Sequence, residues 1–181
     1  MRSVSTETPR HSEIKEIKMI TSTATNGNLA FEDAKIIFRN FAGTETKFNR
    51  AGDRNFCIVI NDPDVAAALT REGYNVKERK KRDEDDDPSY YLKVNVSYGF
   101  TPPAVHLITS KKQVSLDEDT IGTLDNADIK TCDIIIRPYH WTAPGDRSGT
   151  SAYLKSLYVV IEEDEFASKY SSLPTDEDTP F

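Results

Sequence analysis

Cysteine is scarce, and its scarcity excludes a good deal. The 181-residue chain has two, Cys57 and Cys132, far apart and without CxxC spacing, so neither a zinc ribbon nor a disulfide framework is signalled. Both lie in apolar, strand-like runs and are expected to be buried thiols. The three histidines (His11, His106, His140) show no ligand spacing. Long apolar runs are missing too: none approaches membrane-spanning length, and the N-terminus lacks the apolar core of a secretory signal. There is no phosphate-cradling glycine loop, no Ser/His/Asp set and no HxE…CxxC signature. The expectation is a cytoplasmic protein that is not an enzyme, with no cofactor, no bound metal and no membrane partner.

Net positive charge is also lacking. The total of −7 would argue against nucleic-acid binding, because phosphate contacts need cations. The acids, however, are clustered. Asp83 to Asp87 is an unbroken acidic run, as are Glu162 to Glu165 and Asp176 to Asp178. Without these clusters the remainder is net basic, which leaves room for a positive face elsewhere. Asp83 to Asp87 could be imagined as a nuclease centre, but two-metal chemistry wants ions about 3.5–4 Å apart between converging acids. Consecutive acids in a loop do not converge, so the run reads as solvated surface.

The length fits one domain with flexible ends. Residues 1–28, rich in Ser, Thr, Glu and Lys, form an N-terminal arm with apolar residues enough for one short strand or helical turn. Residues 29–170 form the folded domain, and 171–181 a solvated acidic tail. Alternation predicts strands over 35–41, 56–60, 74–78, 90–98, 104–109, 131–141 and 150–161, with 90–98 and 104–109 pairing as a hairpin. Asp62-Pro63 opens a helix that runs through Arg71 and stops at Gly73. A second short helix falls within 116–127. Six to eight short strands with one or two small helices predict a mainly β protein, an OB-fold-like small β-barrel, although a β-sandwich would give a similar string.

The outward strand faces carry the functional signal. Binding single strands without sequence preference needs cations along the phosphates and rings for the bases. Tyr91 shares a face with Lys93; Arg137, Tyr139 and Trp141 share another; Tyr153 and Lys155 pair on the last strand. Near the start, Arg39 and Lys35 alternate in phase with Phe41. The loop before the second strand adds Lys47, Phe48, Arg50, Arg54 and Phe56 as a finger turned at Gly52-Asp53, and Lys77 lies on the strand at 74–78. Any one such pair is ordinary for an exposed strand, since aromatics favour strands and Lys protects edges. Four together point to a binding face.

These residues carry a resemblance. Arg39-Asn40-Phe41-Ala42-Gly43, Phe48-Asn49-Arg50-Ala51-Gly52-Asp53-Arg54-Asn55-Phe56, Gly73-Tyr74-Asn75-Val76-Lys77, Asp133 through Trp141, Gly149 through Lys155 and Glu162 to Glu165 together resemble a family of phage single-stranded DNA-binding proteins. The similarity spans roughly residues 37 to 170. It implies an OB-type fold and coating of single-stranded DNA during phage replication or recombination, in the host cytoplasm if the chain is phage-encoded. The tail Asp176, Glu177, Asp178, Thr179, Pro180, Phe181 resembles the acidic tip, ending in Pro-Phe, of bacterial single-stranded DNA-binding proteins, which recruits replication and repair enzymes. Its residue types fit a partner pocket: a ring in a hollow, and acids drawn to a basic rim. The same acids could occupy the DNA groove in the absence of DNA. A homodimer through an exposed edge strand is left open. The rival reading is a protein–protein interaction or structural module without DNA, and what separates the two is whether the basic and aromatic residues form one groove.

Overall fold

The structure is a computed structural model that describes residues 21–23, 27–99 and 101–163. Ten strands, one α-helix and one 3-10 helix occur among the described residues. In chain order they are β1 (Thr21–Thr23), β2 (Asn28–Ala34), β3 (Ile36–Asn40), β4 (Arg54–Ile60), α1 (Pro63–Arg71), β5 (Val76–Glu78), β6 (Tyr90–Val96), β7 (Ala104–Ile108) and β8 (Gln113–Leu116). A 3-10 helix at Ile121–Asp125 then leads to β9 (Ile129–Ala143) and β10 (Arg147–Ile161). Among the described residues of the N-terminal arm, β1 pairs antiparallel with β2; the rest of the arm's apolar stretch, residues 14–20, lies outside the described residues.

The long β9–β10 hairpin is the spine. Its tight connection at Pro144 to Asp146 holds two left-handed residues, Gly145 and Asp146. β2 pairs with the other edge of β9. The free edge of β10 is shared in turn by two parallel neighbours: β6 takes Ala152 and Tyr153, and β7 takes Ser156 to Val160. A bulge between Leu154 and Ser156 marks the changeover. β6 then pairs with β4, and β4 with β3. The order is β1-β2-β9-β10-β6-β4-β3, with no pairing between β3 and β1 or β2 among the described residues. Along that seam the sheet is open.

Alternation fills the interior as period two requires. Cys132, Ile134 and Ile136 of β9 face inward with Ala152, Leu154, Leu157 and Val159 of β10, Leu92, Val94 and Val96 of β6, and Phe56, Ile58 and Ile60 of β4. Burying each large apolar side chain contributes roughly 1.5–3 kcal/mol before entropy is charged against it. Two small helices close the core, α1 through Ala66 and Leu69 and the 3-10 helix through Ile121 and Leu124. The caps of α1 follow its sequence: Asp62 accepts from the Asp64 N–H, Pro63 opens the helix and Gly73 follows it with φ +93°. A side chain at Gly73 would also collide with Thr150, whose N–H donates to the Gly73 carbonyl (2.9 Å).

One expectation about pairing fails. β7 does not form a hairpin with β6; it runs parallel to β10 and antiparallel to β8, a strand that alternation did not reveal. Pro102 and Pro103 hold the intervening chain extended, so it passes along β10 rather than turning back.

Candidate nucleic-acid interface

Three hollows run together across the outer face of β4, β6, β10 and β9. The first, about 300 Å³, is lined by Cys57, Asn75, Lys77, Tyr91, Lys93, Asn95 and Ser151, among others. The second, about 340 Å³, shares Lys93 and Asn95 with it and adds Asp53, Arg54, Asn55, Ser97 and Tyr153. The third, about 580 Å³, shares Ser97 and Tyr153 with the second and adds Thr101, Arg137, Pro138 and Tyr139. The shared walls make one groove. Lys77, Lys93, Arg54 and Arg137 line it against a single acid, Asp53. In a chain of net −7 that segregation is the decisive electrostatic feature: the acidic run Asp83 to Asp87 lines none of the three hollows, and the groove keeps its cations.

The ladder positions the side chains. Lys77 stands opposite Tyr91 across β5–β6, Tyr153 beside Asn95 across β10–β6, and Arg137 opposite Tyr153 across β9–β10. Cation and ring therefore alternate across adjacent strands. Tyr139 and Tyr153 meet edge-to-face at 6.0 Å, and Tyr139 is 58% exposed. Two residues further along β9, Trp141 lies opposite Gly149 and over its backbone, where a β-carbon would come within 2.6 Å of the indole. The indole is 38% exposed. Behind it, Thr150 donates to the Glu72 carbonyl and accepts from His140, which ties the hairpin to the end of α1.

Cys57 sits on the groove floor. Burial pushes its thiol up, opposed by the nearby charges of Lys93 and Lys77. Cys132 lies in the core, donates to the Ala34 carbonyl and is pushed up to about 12, chiefly by burial.

Several sequence-predicted site residues lie elsewhere. Phe41 and Phe56 are fully buried and stack on each other at 5.1 Å, so neither can offer a ring to a base. Arg39 is turned away, donating to the carbonyls of Leu124 (2.7 Å) and Ala127 (2.8 Å), while Asp125 accepts from the N–H groups of Phe41 and Ala42. This reciprocal clasp fastens the end of β3 to the 3-10 helix. Arg54 does line the groove, but it pairs with Glu118 (3.3 Å) and lies over the Tyr98 ring. Lys155 is exposed at the β10 bulge and lines none of the three hollows. The error at Phe41 has one cause: a bulge between Ile37 and Asn40 breaks the alternation of β3.

The finger loop is braced at its base. Gly52 donates to the Gly43 carbonyl, Asn40 and Thr44 exchange two hydrogen bonds, and Asn55 donates to Asn49. Lys47, Phe48 and Arg50 are exposed on it; Phe48 is 84% exposed, with the Lys47 ammonium 5.6 Å from its ring centre. Gly52 and Asp53 form one wall of the groove. Residues that the sequence reading missed are Asn75, Ser151 and Phe38. The first two line the groove, and only β5 and β10 pairing with β6 could reveal that. The tail residues Asp176, Glu177, Asp178, Pro180 and Phe181 lie outside the described residues.

A family model described as "Putative phage ssDNA-binding domain" matches residues 20–180. The chain belongs to this family. No curated protein matches it. Members of the phage ssDNA-binding domain family are binding proteins rather than enzymes. The fold is similar to the single-stranded DNA-binding protein from bacteriophage Enc34 in complex with ssDNA, with a TM-score of 0.53 and 11% identity over 82% of this chain and 94% of that one. A second structure of the Enc34 protein gives a TM-score of 0.52 and 11% identity over 89% and 93%. At that identity the likeness carries the fold, so the phage ssDNA-binding domain's side chains have to be read from its own groove. Among the described residues no group of three His, Cys, Asp or Glu is placed to hold a metal ion, and no helix is long and apolar enough to cross a membrane.

Proposed function

We propose that this phage ssDNA-binding domain coats single-stranded DNA without sequence preference along the groove over β4, β6, β10 and β9. The observation that carries the reading is the continuity of that groove, with Lys77, Lys93 and Arg137 interleaved with Tyr91, Tyr153 and Tyr139. Phosphates need the first set and bases the second. From Tyr91 to Ser97 along β6 the groove runs about 20 Å at the usual strand rise, and Trp141 extends it onto the hairpin. Family membership and the fold shared with an Enc34 protein solved with ssDNA support the same reading.

The sheet corresponds to an OB-type barrel, the finger at Lys47, Phe48 and Arg50 closes over the bound strand, and the protein acts in phage replication or recombination in the host cytoplasm. Asp176 to Asp178 with Pro180 and Phe181 recruit partner enzymes, and copies pair through an edge strand. The direct test of the central claim is titration of the full chain with oligo(dT) at two salt concentrations, following the single tryptophan. Micromolar or tighter quenching that weakens as salt rises is the expected result. No binding at low salt, with and without residues 174–181, overturns it.

A further inference from the structure

One exposed ring, that of Phe38, lines none of the three hollows. Phe38 has a left-handed backbone, φ +51°. The only other non-glycine residues in that region among those described are Asp33 and Asp146, whose short polar side chains tolerate it. A bulky aromatic does not, and is a genuine outlier there. It sits in the β3 bulge, between the last regular pair Ile37–Cys57 and the next at Asn40–Asn55. Bulges re-aim side chains. Here the effect is to leave the Phe38 ring 65% exposed and edge-to-face with Tyr91, with 5.6 Å between ring centres and 77° between planes.

The fold gains little from this arrangement: the ring is mostly in water and the backbone beneath it is strained. Strain that persists without a packing return points to function. The surroundings say which function. Tyr91 lines the groove; Lys77 faces it across the ladder and Lys93 is its next neighbour on the same face. Two perpendicular rings beside two ammonium groups suit one nucleotide, its base against an aromatic face and its phosphates on the cations.

We infer that Phe38 and Tyr91 form a base-stacking corner that holds a nucleotide at the β3 end of the groove. This rests on the single-stranded DNA reading and extends the binding surface beyond the three hollows. An apolar protein partner would not call for Lys77 and Lys93 at the rim.

The test uses the full chain carrying Phe38→Asn, because Asn accepts the left-handed backbone, and Phe38→Tyr, which keeps a ring. For Phe38→Asn, oligo(dT) affinity is expected to fall roughly 5- to 150-fold, the range for one lost base–aromatic stack. The slope of log affinity against log salt stays at the wild-type value, because no phosphate contact is removed. Its thermal midpoint equals or exceeds that of the wild type, since strain is relieved. Phe38→Tyr keeps wild-type affinity. Wild-type affinity in Phe38→Asn overturns the inference while leaving the DNA reading intact. A midpoint lowered by more than about 5 °C, on the usual scale for a domain of this size, shows the ring to be structural and also overturns it. Failure of the wild type itself to bind overturns both.

Discussion

Replacing Gly149 by Ala tests whether Trp141 is held as a platform by its cross-strand glycine. A β-carbon at Gly149 would lie 2.6 Å from Cζ2, 2.8 Å from Cε2 and 3.0 Å from Nε1 of Trp141. Carbon contacts settle near 3.5–4.0 Å, so the indole must lift by about 1 Å. In a closed core that would cost about 1–3 kcal/mol. Here the ring is 38% exposed on a projecting hairpin, so it can tilt away at off-rotamer cost, roughly 0.5–1.5 kcal/mol. At about 2–4 °C per kcal/mol, the midpoint should fall by about 1–6 °C. Trp141 is the single tryptophan, so emission reports on it alone: the maximum should shift to the red and acrylamide quenching should rise. Affinity for oligo(dT) should fall by no more than one stack, about 1–3 kcal/mol. In a Trp141→Ala background the same glycine replacement should lose most of its effect on stability, the double-mutant cycle isolating the contact. An unchanged emission maximum together with an unchanged midpoint would refute the reasoning.

Lys93→Ala and Arg137→Ala should each flatten the dependence of log affinity on log salt by about 0.7, the increment for one phosphate contact on a single strand; a parallel-shifted line would show that neither touches phosphate. Phe41→Ala should cost about 3–5 kcal/mol and lower the urea midpoint, as for any buried phenylalanine. Phe48→Ala, at an exposed loop tip, should stay within about 0.5 kcal/mol of wild type, so equal effects would contradict the assigned burial. Burial favours the neutral thiol at Cys57 and Cys132, so the folded chain holds these protons more tightly than the unfolded chain does. That contribution to stability is complete below the unfolded thiol value of about 8.5 and is lost as pH rises toward the folded values. Native protein at pH 8 should accordingly react slowly with a thiol reagent at both cysteines and rapidly in urea; fast native reaction at Cys132 would refute its burial.

The sequence by itself determined the local signals. Asp62, Pro63 and Gly73 bound α1 where capping chemistry places its ends, and strict alternation put Tyr91 with Lys93, and Arg137 with Tyr139 and Trp141, on outward faces. Those faces were legible because β6 and the outer half of β9 keep an unbroken period of two. Tertiary structure decided the rest. The bulge in β3 slips the phase by one residue, and such a slip exchanges the two faces of a strand. Phe41 therefore enters the core, Phe38 leaves it, and Arg39 turns to the carbonyls of Leu124 and Ala127. Which strands adjoin is likewise non-local: β6 and β7 share one edge of β10 because the bulge at Lys155 divides that edge. Only that pairing gathers residues from five separate strands into one groove, since alternation fixes the side a residue faces while ladder partners fix what it faces with.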